Sequence, residues 1–429
     1  MRARELANNL AVSLANSAWD KASVAGVLRR RLPPLFTGAD DLAEGLVQNF
    51  RQIYAPSARQ IAKELRFMDG FRKLVLTCRK QNVWPDPVIL PPAMQPCQAF
   101  AEIDLPVLPT PSDLAEWLGI SDAGLARYAD VFNLQNSDDE AAVNHYFWHL
   151  HPKRSGGVRL IEAPKQNLKS IQRKILGGIL QKVPVHPASF GFVRGRNCMQ
   201  AAQRHCAEQL VISMDLKDFF PSVAAARIHA LFRCLGYPHA VAQALTGLVT
   251  LSTPERVVNK LPARMRPVFR GSHLPQGAPT SPALANLCAY RLDLRLSGLA
   301  RRLDANYSRY ADDICFSGSS DIENVVQRAV PEIVVDEGFV LNEVKTRVQP
   351  QGTRQLVTGL VVNQQISTGR ANYDLLKAVL HRCAKPGDTR LTQPKFRAEL
   401  EGKIAWVEQV NPVKGQRLRS KFEAALSVQ

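Results

Sequence analysis

Two apolar runs in this chain end in aspartate: Val211-Ile-Ser-Met-Asp215-Leu-Lys-Asp218-Phe-Phe-Pro and Tyr307-Ser-Arg-Tyr310-Ala-Asp312-Asp313-Ile-Cys-Phe. Leu210–Met214 and Ile314–Ser317 read as buried strands. An ionised carboxylate beside so apolar a strand is costly unless something compensates it, and a divalent cation held by oxygen atoms is a strong compensation. Successive strand residues point to opposite faces, so Tyr310 and Asp312 share one side and Asp313 faces the other unless a hairpin turn reorients it. Asp312 is therefore the leading ligand candidate. Taken alone, the Asp-Asp pair also reads as an ordinary hairpin turn.

The charge of the chain narrows its partners. Its 429 residues carry 55 Lys+Arg against 38 Asp+Glu, a formal charge of +17. Residues 151–204 hold eleven of the basic residues and one acid, Glu162. That run includes Lys165, Lys169, Arg173, Arg194 and Arg196, and it predicts a polyanionic partner or else a solvated basic face. With 45% hydrophobic and 22% charged residues the chain has the balance of a folded protein rather than a disordered one. No stretch approaches the roughly 18 apolar residues of a membrane span, and the N-terminus interrupts its apolar positions with Arg, Glu and Asn. A cytoplasmic protein with no membrane partner is expected. The eight cysteines, with no C-x-x-C pair, suit reduced thiols.

Residues 1–83 read as an N-terminal helical extension, with Leu6, Leu10 and Leu14, then Val24 and Leu28, then Ile61 and Leu65 at helical spacing. Residues 84–111 contain eight prolines and read as an extended linker. Ser112 is the expected N-cap of a short helix bearing Leu114, Trp117 and Leu118. Strand signals flank the glycine turn at Lys153-Arg-Ser-Gly-Gly. Ala283–Leu299 and Val325–Val335 read as helices, and the tail from Asn372 is helical and basic.

A third element joins the two acidic strand ends: Leu274-Pro-Gln-Gly-Ala-Pro-Thr-Ser-Pro. There a glycine permits close backbone approach, and Ser281-Pro282 reads as N-cap then N1. Asp215-Leu-Lys-Asp-Phe-Phe-Pro-Ser, Pro275-Gln-Gly and Tyr310-Ala-Asp-Asp together resemble reverse transcriptases from about Tyr146 to the C-terminus. The resemblance implies an α+β right-hand polymerase fold preceded by the helical extension. Short helices and fingers would occupy 112–210, the palm with an inserted fingers segment 211–365, and the thumb 366–429.

The resemblance also implies roles. Asp215 and Asp312, supported by Asp313 and the Leu216 carbonyl, would hold two Mg²⁺ ions for nucleotidyl transfer. Phe220, five residues after Asp215, falls on the family's steric gate and would favour dNTPs over rNTPs, with one of Phe219 and Phe220 serving as a core ring. Gln276 would touch the incoming nucleotide and template, Lys153 and Arg159 would grip the triphosphate, and Lys345 would protonate the departing pyrophosphate.

Val357-Thr358-Gly359 and the ending around Lys403-Ile-Ala-Trp resemble retron reverse transcriptases in particular, while Ala201-Ala-Gln-Arg-His205 matches their Asn-Ala-x-x-His motif only in part. That resemblance implies a structured noncoding RNA as template and primer, bound through Lys165, Lys169, Arg173, Arg194, Arg196, His205, Val357, Thr358, Gly359 and Lys403. It implies an RNA-linked single-stranded DNA product (msDNA), dNTPs as substrates, an effector protein and a role in antiphage defence. The short tail leaves no room for an RNase H domain, so a host RNase H would remove template. Group II intron, diversity-generating or abortive-infection enzymes, and an inactive RNA-binding scaffold, are the competing readings.

Overall fold

The computed structural model describes residues 3–34, 36–50, 56–84, 92–130, 144–152, 157–385 and 387–427. The chain forms two compact units, one of Met1–Pro184 with Phe220–Cys288 and one of Val185–Phe219 with Ala289–Gln429.

In the first unit, helices Ala3–Ala15, Lys21–Arg31, Ala39–Asn49, Ala58–Leu65 and Asp69–Gln81 enclose a core of their own. Leu6, Leu10 and Leu14 repeat every fourth residue and are buried, as amphipathic helices require. Asp20 caps the second helix through the Ser23 amide, and Ser57 with Gln60 forms a capping box at the fourth. The described part of the proline-rich stretch is not a free linker. Gln95 and Cys97 donate backbone hydrogen bonds to Gly236 and Cys234, and Leu105 and Leu108 are buried. The N-cap of helix Pro111–Leu118 is Thr110 rather than Ser112. Thr110 and Asp113 satisfy each other's amides, and Pro111 then takes the first helical position, where its missing N–H costs nothing. Arg233, buried on helix Ala225–Cys234, donates to the carbonyls of Tyr237 and of Ala15 at the end of the first helix.

Strands β1 (Tyr146–Pro152) and β2 (Val158–Pro164) pair antiparallel in this unit, with His151 opposite Arg159. Helix Gln166–Gly178 follows. Its buried Gln172 donates to the Tyr146 hydroxyl and the Leu248 carbonyl, tying it to helix His239–Val249.

The second unit is built on an antiparallel sheet of β3 (Leu210–Asp215), β4 (Asn306–Tyr310), β5 (Asp313–Gly318) and β6 (Arg347–Pro350), in the order β4-β5-β3-β6. Val211, Ile212, Ile314 and Phe316 are fully buried, which is why these runs read as near-continuous apolar segments. Helices Tyr290–Arg302 and Ile322–Asp336 belong to this unit, and the sequence expectation of one helix across 283–299 divides at Ala289. A short hairpin, β7 (Leu356–Val357) with β8 (Leu360–Val361), precedes three helices, Arg370–Cys383, Pro394–Val410 and Pro412–Leu426, that share a separate core around Leu380, Ile404, Leu418 and Phe422. Among the described residues no helix is long and apolar enough to cross a membrane.

Candidate active site

Strand register sets the site. Asp215, the last residue of β3, lies opposite Asp313, the first residue of β5, and cross-strand partners place their side chains on one face. The β4–β5 connection is the two-residue turn Ala311-Asp312 between the paired Tyr310 and Asp313. Ala311 has φ +57. Asp312 therefore sits in the turn, outside the strand alternation, and it is the turn that lets Asp313 face Asp215. The Leu216 amide donates to the Asp312 carbonyl at 2.8 Å, closing β3 against the turn.

Asp215 is buried, Asp312 half-buried and Asp313 exposed. The Asp313 carboxyl is pushed up to about 6, first by partial desolvation among its neighbours and then by the negative charges of Asp312 and Asp215, against the opposing pull of Lys345 and Arg347. The segment 340–345 grips Asp215. Asn342 donates its amide to the Asp215 carbonyl at 2.7 Å and its Nδ2 to Oδ2 at 3.3 Å, while Lys345 Nζ reaches Oδ1 at 2.7 Å. Asn342 was not expected from sequence; its place in Leu341-Asn-Glu-Val-Lys345, three residues before the singled-out lysine, was the available signal.

Three mutually repelling carboxylates form a hard oxygen donor set that suits Mg²⁺. Among the described residues no three His, Cys, Asp or Glu side chains are gathered so as to hold a metal ion by themselves. Such a set fits Mg²⁺ bound through one or two carboxylates and completed by water and substrate phosphates.

In the first unit, Arg159 is exposed on β2, and Lys153 lies outside the described residues. Phe220 is half-buried. Phe219, in the second unit, is the core ring, 4% exposed and packed on Phe339 with centroids 5.8 Å apart. Half-buried Gln276 accepts the Glu162 amide at 2.9 Å through its carbonyl. Gly277 has φ +138, and a Cβ there would lie 3.1 Å from the Glu162 carbonyl, so this turn requires glycine. Ser281 does not act as the expected cap: its hydroxyl donates to the Pro275 carbonyl at 2.7 Å, and it is the Thr280 carbonyl that accepts the Leu284 amide. Beneath this loop, fully buried Glu162 accepts from Thr253 Oγ1 at 2.6 Å and meets His273 Nε2 at 3.1 Å.

The residues expected to touch RNA divide. Lys165 and Lys169 are half-buried, with Lys165 Nζ 5.3 Å from the Phe147 ring centre, and Arg173, Arg194 and Lys403 are exposed. Arg196 spends Nη1 on the carbonyls of His186, Pro187 and Ser189. His205 does not face RNA. It is fully buried, its ring nitrogens 2.8 Å from Ser317 Oγ and 2.7 Å from Ser308 Oγ. Val357 likewise lies in the core with Val211, Cys315 and Leu360. Thr358 and Gly359 form the tip of the β7–β8 hairpin with φ +50 and +84, the paired left-handed conformation of a type I′ turn. Thr358 Oγ1 donates to the Cys198 carbonyl at 3.0 Å.

Residues 151–358 match the family described as "Reverse transcriptase (RNA-dependent DNA polymerase)", so the sheet and its carboxylates belong to an RNA-directed DNA polymerase with the α+β polymerase fold. The chain is 42% identical over 322 residues to the Retron Mx65 reverse transcriptase of Myxococcus xanthus, covering 74% of this chain and 72% of that one. It is 36% identical over 323 residues to the Retron Mx162 reverse transcriptase of the same organism, covering 71% of this chain and 64% of that one. With the Retron Ec86 reverse transcriptase of Escherichia coli the identity is 33% over 235 residues, 54% of this chain and 68% of the relative. The chain belongs to the retron reverse transcriptases.

Proposed function

We propose that this chain copies a cognate structured noncoding RNA into RNA-linked single-stranded DNA (msDNA) by two-metal nucleotidyl transfer. The observation that carries the reading is the register of β3 and β5, which sets Asp215 opposite Asp313, with Asp312 in the β4–β5 turn. Asp215, Asp312, Asp313 and the Leu216 carbonyl would hold two Mg²⁺ ions. When bound, these ions supply Lewis acidity to the primer hydroxyl and to the leaving pyrophosphate.

The chain's own residues do the rest. Lys345 carries its ammonium beside the Asp215 carboxylate, placed to give a proton to departing pyrophosphate. Phe220 crowds C2′ of the incoming sugar and excludes a 2′-hydroxyl. Gln276, on its glycine-dependent turn, contacts nucleotide and template, and Arg159 with Lys153 grips the triphosphate. Lys165, Lys169, Arg173, Arg194, the hairpin tip Thr358-Gly359 and Lys403 meet the RNA by phosphate contacts and shape. Residues 366–429 act as the thumb, 211–365 as the palm with its inserted segment and 112–210 as the fingers. Product synthesis serves antiphage defence with an effector protein, in the cytoplasm, and a host RNase H removes template.

The test is DNA synthesis by the purified protein on an RNA template with and without Mg²⁺, followed by sequencing of the nucleic acid that copurifies from cells. A unique DNA joined to RNA supports the reading; heterogeneous or untemplated DNA removes its retron part, and absence of Mg²⁺-dependent synthesis removes the whole.

A further inference from the structure

The turn that carries Asp312 is held from behind by a residue outside the carboxylate set. Arg309 lies on β4 two positions before that turn and is fully buried. Its guanidinium forks onto Asp293 of helix Tyr290–Arg302, with Nε 2.8 Å from Oδ1 and Nη2 2.7 Å from Oδ2. Tyr307, on the same face of β4, donates its hydroxyl to Asp293 Oδ1 at 2.7 Å. Nη2 also reaches Ser189 Oγ at 3.2 Å, and the guanidinium carbon stands 5.5 Å from the centre of the Phe219 ring. The remaining arm points at the site: Nη1 donates to the Ala311 carbonyl at 2.8 Å.

We infer that Arg309 is a positioning residue for the catalytic turn: anchored on Asp293, it holds the Ala311 carbonyl and thereby fixes where Asp312 and Asp313 present their carboxylates. A non-glycine residue in the left-handed region costs on the order of 1–2 kcal/mol and persists only where its surroundings over-determine it. Ala311, at φ +57, is held on three sides. Arg309 takes its carbonyl, the Leu216 amide takes the carbonyl of Asp312, and Gly191 packs so closely that a Cβ there would lie 2.4 Å from the Ala311 amide nitrogen.

A buried ion pair alone does not account for this arrangement, because an apolar pair of similar volume stabilises a core equally well or better. What an apolar pair cannot do is grip a carboxylate and a turn carbonyl together. A lysine, a single point charge on a flexible stem, cannot do so with the same geometry.

The inference rests on the reading of Asp312 and Asp313 as catalytic, and three variants separate the two. Arg309→Lys keeps the charge opposite Asp293, and the double change Arg309→Met with Asp293→Leu replaces the pair by packed apolar groups. Both are expected to melt cooperatively near the wild-type temperature. Their kcat in Mg²⁺-dependent extension is expected to fall about 100-fold, the loss that a displacement near 1 Å produces. The Mg²⁺ concentration for half-maximal rate should rise, with KM for template-primer unchanged. A folded double variant with wild-type kcat and Mg²⁺ dependence overturns the inference, and if the double variant does not fold, Arg309→Lys with those wild-type values does the same. Asp312→Asn is the control: if it retains full activity, the assignment of the site itself fails, whatever the Arg309 variants do.

Discussion

Lys345 Nζ lies 2.7 Å from Asp215 Oδ1, joining residues 130 positions apart in the chain. The carboxylate that ends β3 thus has its charge balanced by an ammonium that is half exposed and able to exchange protons with solvent. In the proposed chemistry the same lysine turns toward the leaving group. Lys345→Ala is expected to lower kcat about 100-fold, within the range for loss of a general acid. Single-turnover extension checks this; an unchanged rate assigns Lys345 to charge balance alone.

Asp215→Asn and Asp312→Asn each remove a ligand charge without changing side-chain volume. Extension should drop by at least about 1,000-fold, as expected when electrostatic stabilisation of phosphoryl transfer is lost. The melting temperature of Asp312→Asn should hold or rise, because a charge repelling Asp313 is removed, whereas Asp215→Asn also gives up the ion pair with Lys345 and should melt no higher than the wild type. Calorimetry beside a primer-extension assay reads both effects.

Phe220→Ala opens space beside the sugar. Incorporation of rNTPs relative to dNTPs is expected to rise about 10- to 100-fold, chiefly through kcat/KM for the ribonucleotide, since a steric block is worth a few kcal/mol. Phe219→Ala should behave differently, because Phe219 is a core ring. Its removal costs about 3–5 kcal/mol of stability. Competition between dNTP and rNTP on one template distinguishes gate from core.

His205 stays neutral in the fold. Burial, with Arg204 nearby, lowers its pKa to about 3. The unfolded chain takes up a proton near pH 6.5 that the folded chain refuses, so stability contributed by this site is full above pH 6.5 and lost as the pH falls toward 3. His205→Ala leaves Ser308 and Ser317 without their shared partner and costs about 3 kcal/mol at pH 7. Its urea midpoint should also vary less with pH between 4 and 6.5 than that of the wild type.

Asp313 has the opposite sign. Its carboxyl, raised to about 6 from 3.8, holds a proton more tightly in the fold than in the unfolded chain. The metal-free protein therefore loses stability as the pH rises from about 4 to about 6. Asp313→Asn flattens that segment of the stability curve, and Mg²⁺ should recover stability above pH 6 in the wild type more than in the variant. Thermal melts with Mg²⁺ and with a chelator measure the difference.

The acidic strand ends were legible in the sequence because their chemistry is local: an apolar run and an adjoining carboxylate stand side by side in the chain. The facing of Asp215 and Asp313 was not, since it depends on a two-residue turn whose first member adopts positive φ without being glycine. His205 was misread because its partners, Ser308 and Ser317, lie more than a hundred residues away and bury it. Arg309 carried a readable signal, a lone cation inside an apolar strand, which demands a buried anion. Nothing local named Asp293 as that anion. The proline-rich stretch read as an extended linker, and composition gave no sign that Cys97, Leu105 and Leu108 would be buried.

Arg233 reaches back across the chain to the carbonyl of Ala15, where the first helix ends. Cutting away that helix would strip a sequestered guanidinium of an acceptor and injure the very body meant to be studied alone. A shortened polypeptide that fails to synthesise DNA would then report this wound as much as any duty of the missing segment. Trimming residues 1–15 together with Arg233→Leu leaves no stranded cation, and polar residues in place of the apolar ones that Leu6, Leu10 and Leu14 had covered are needed as well before the loss can be charged to the segment itself.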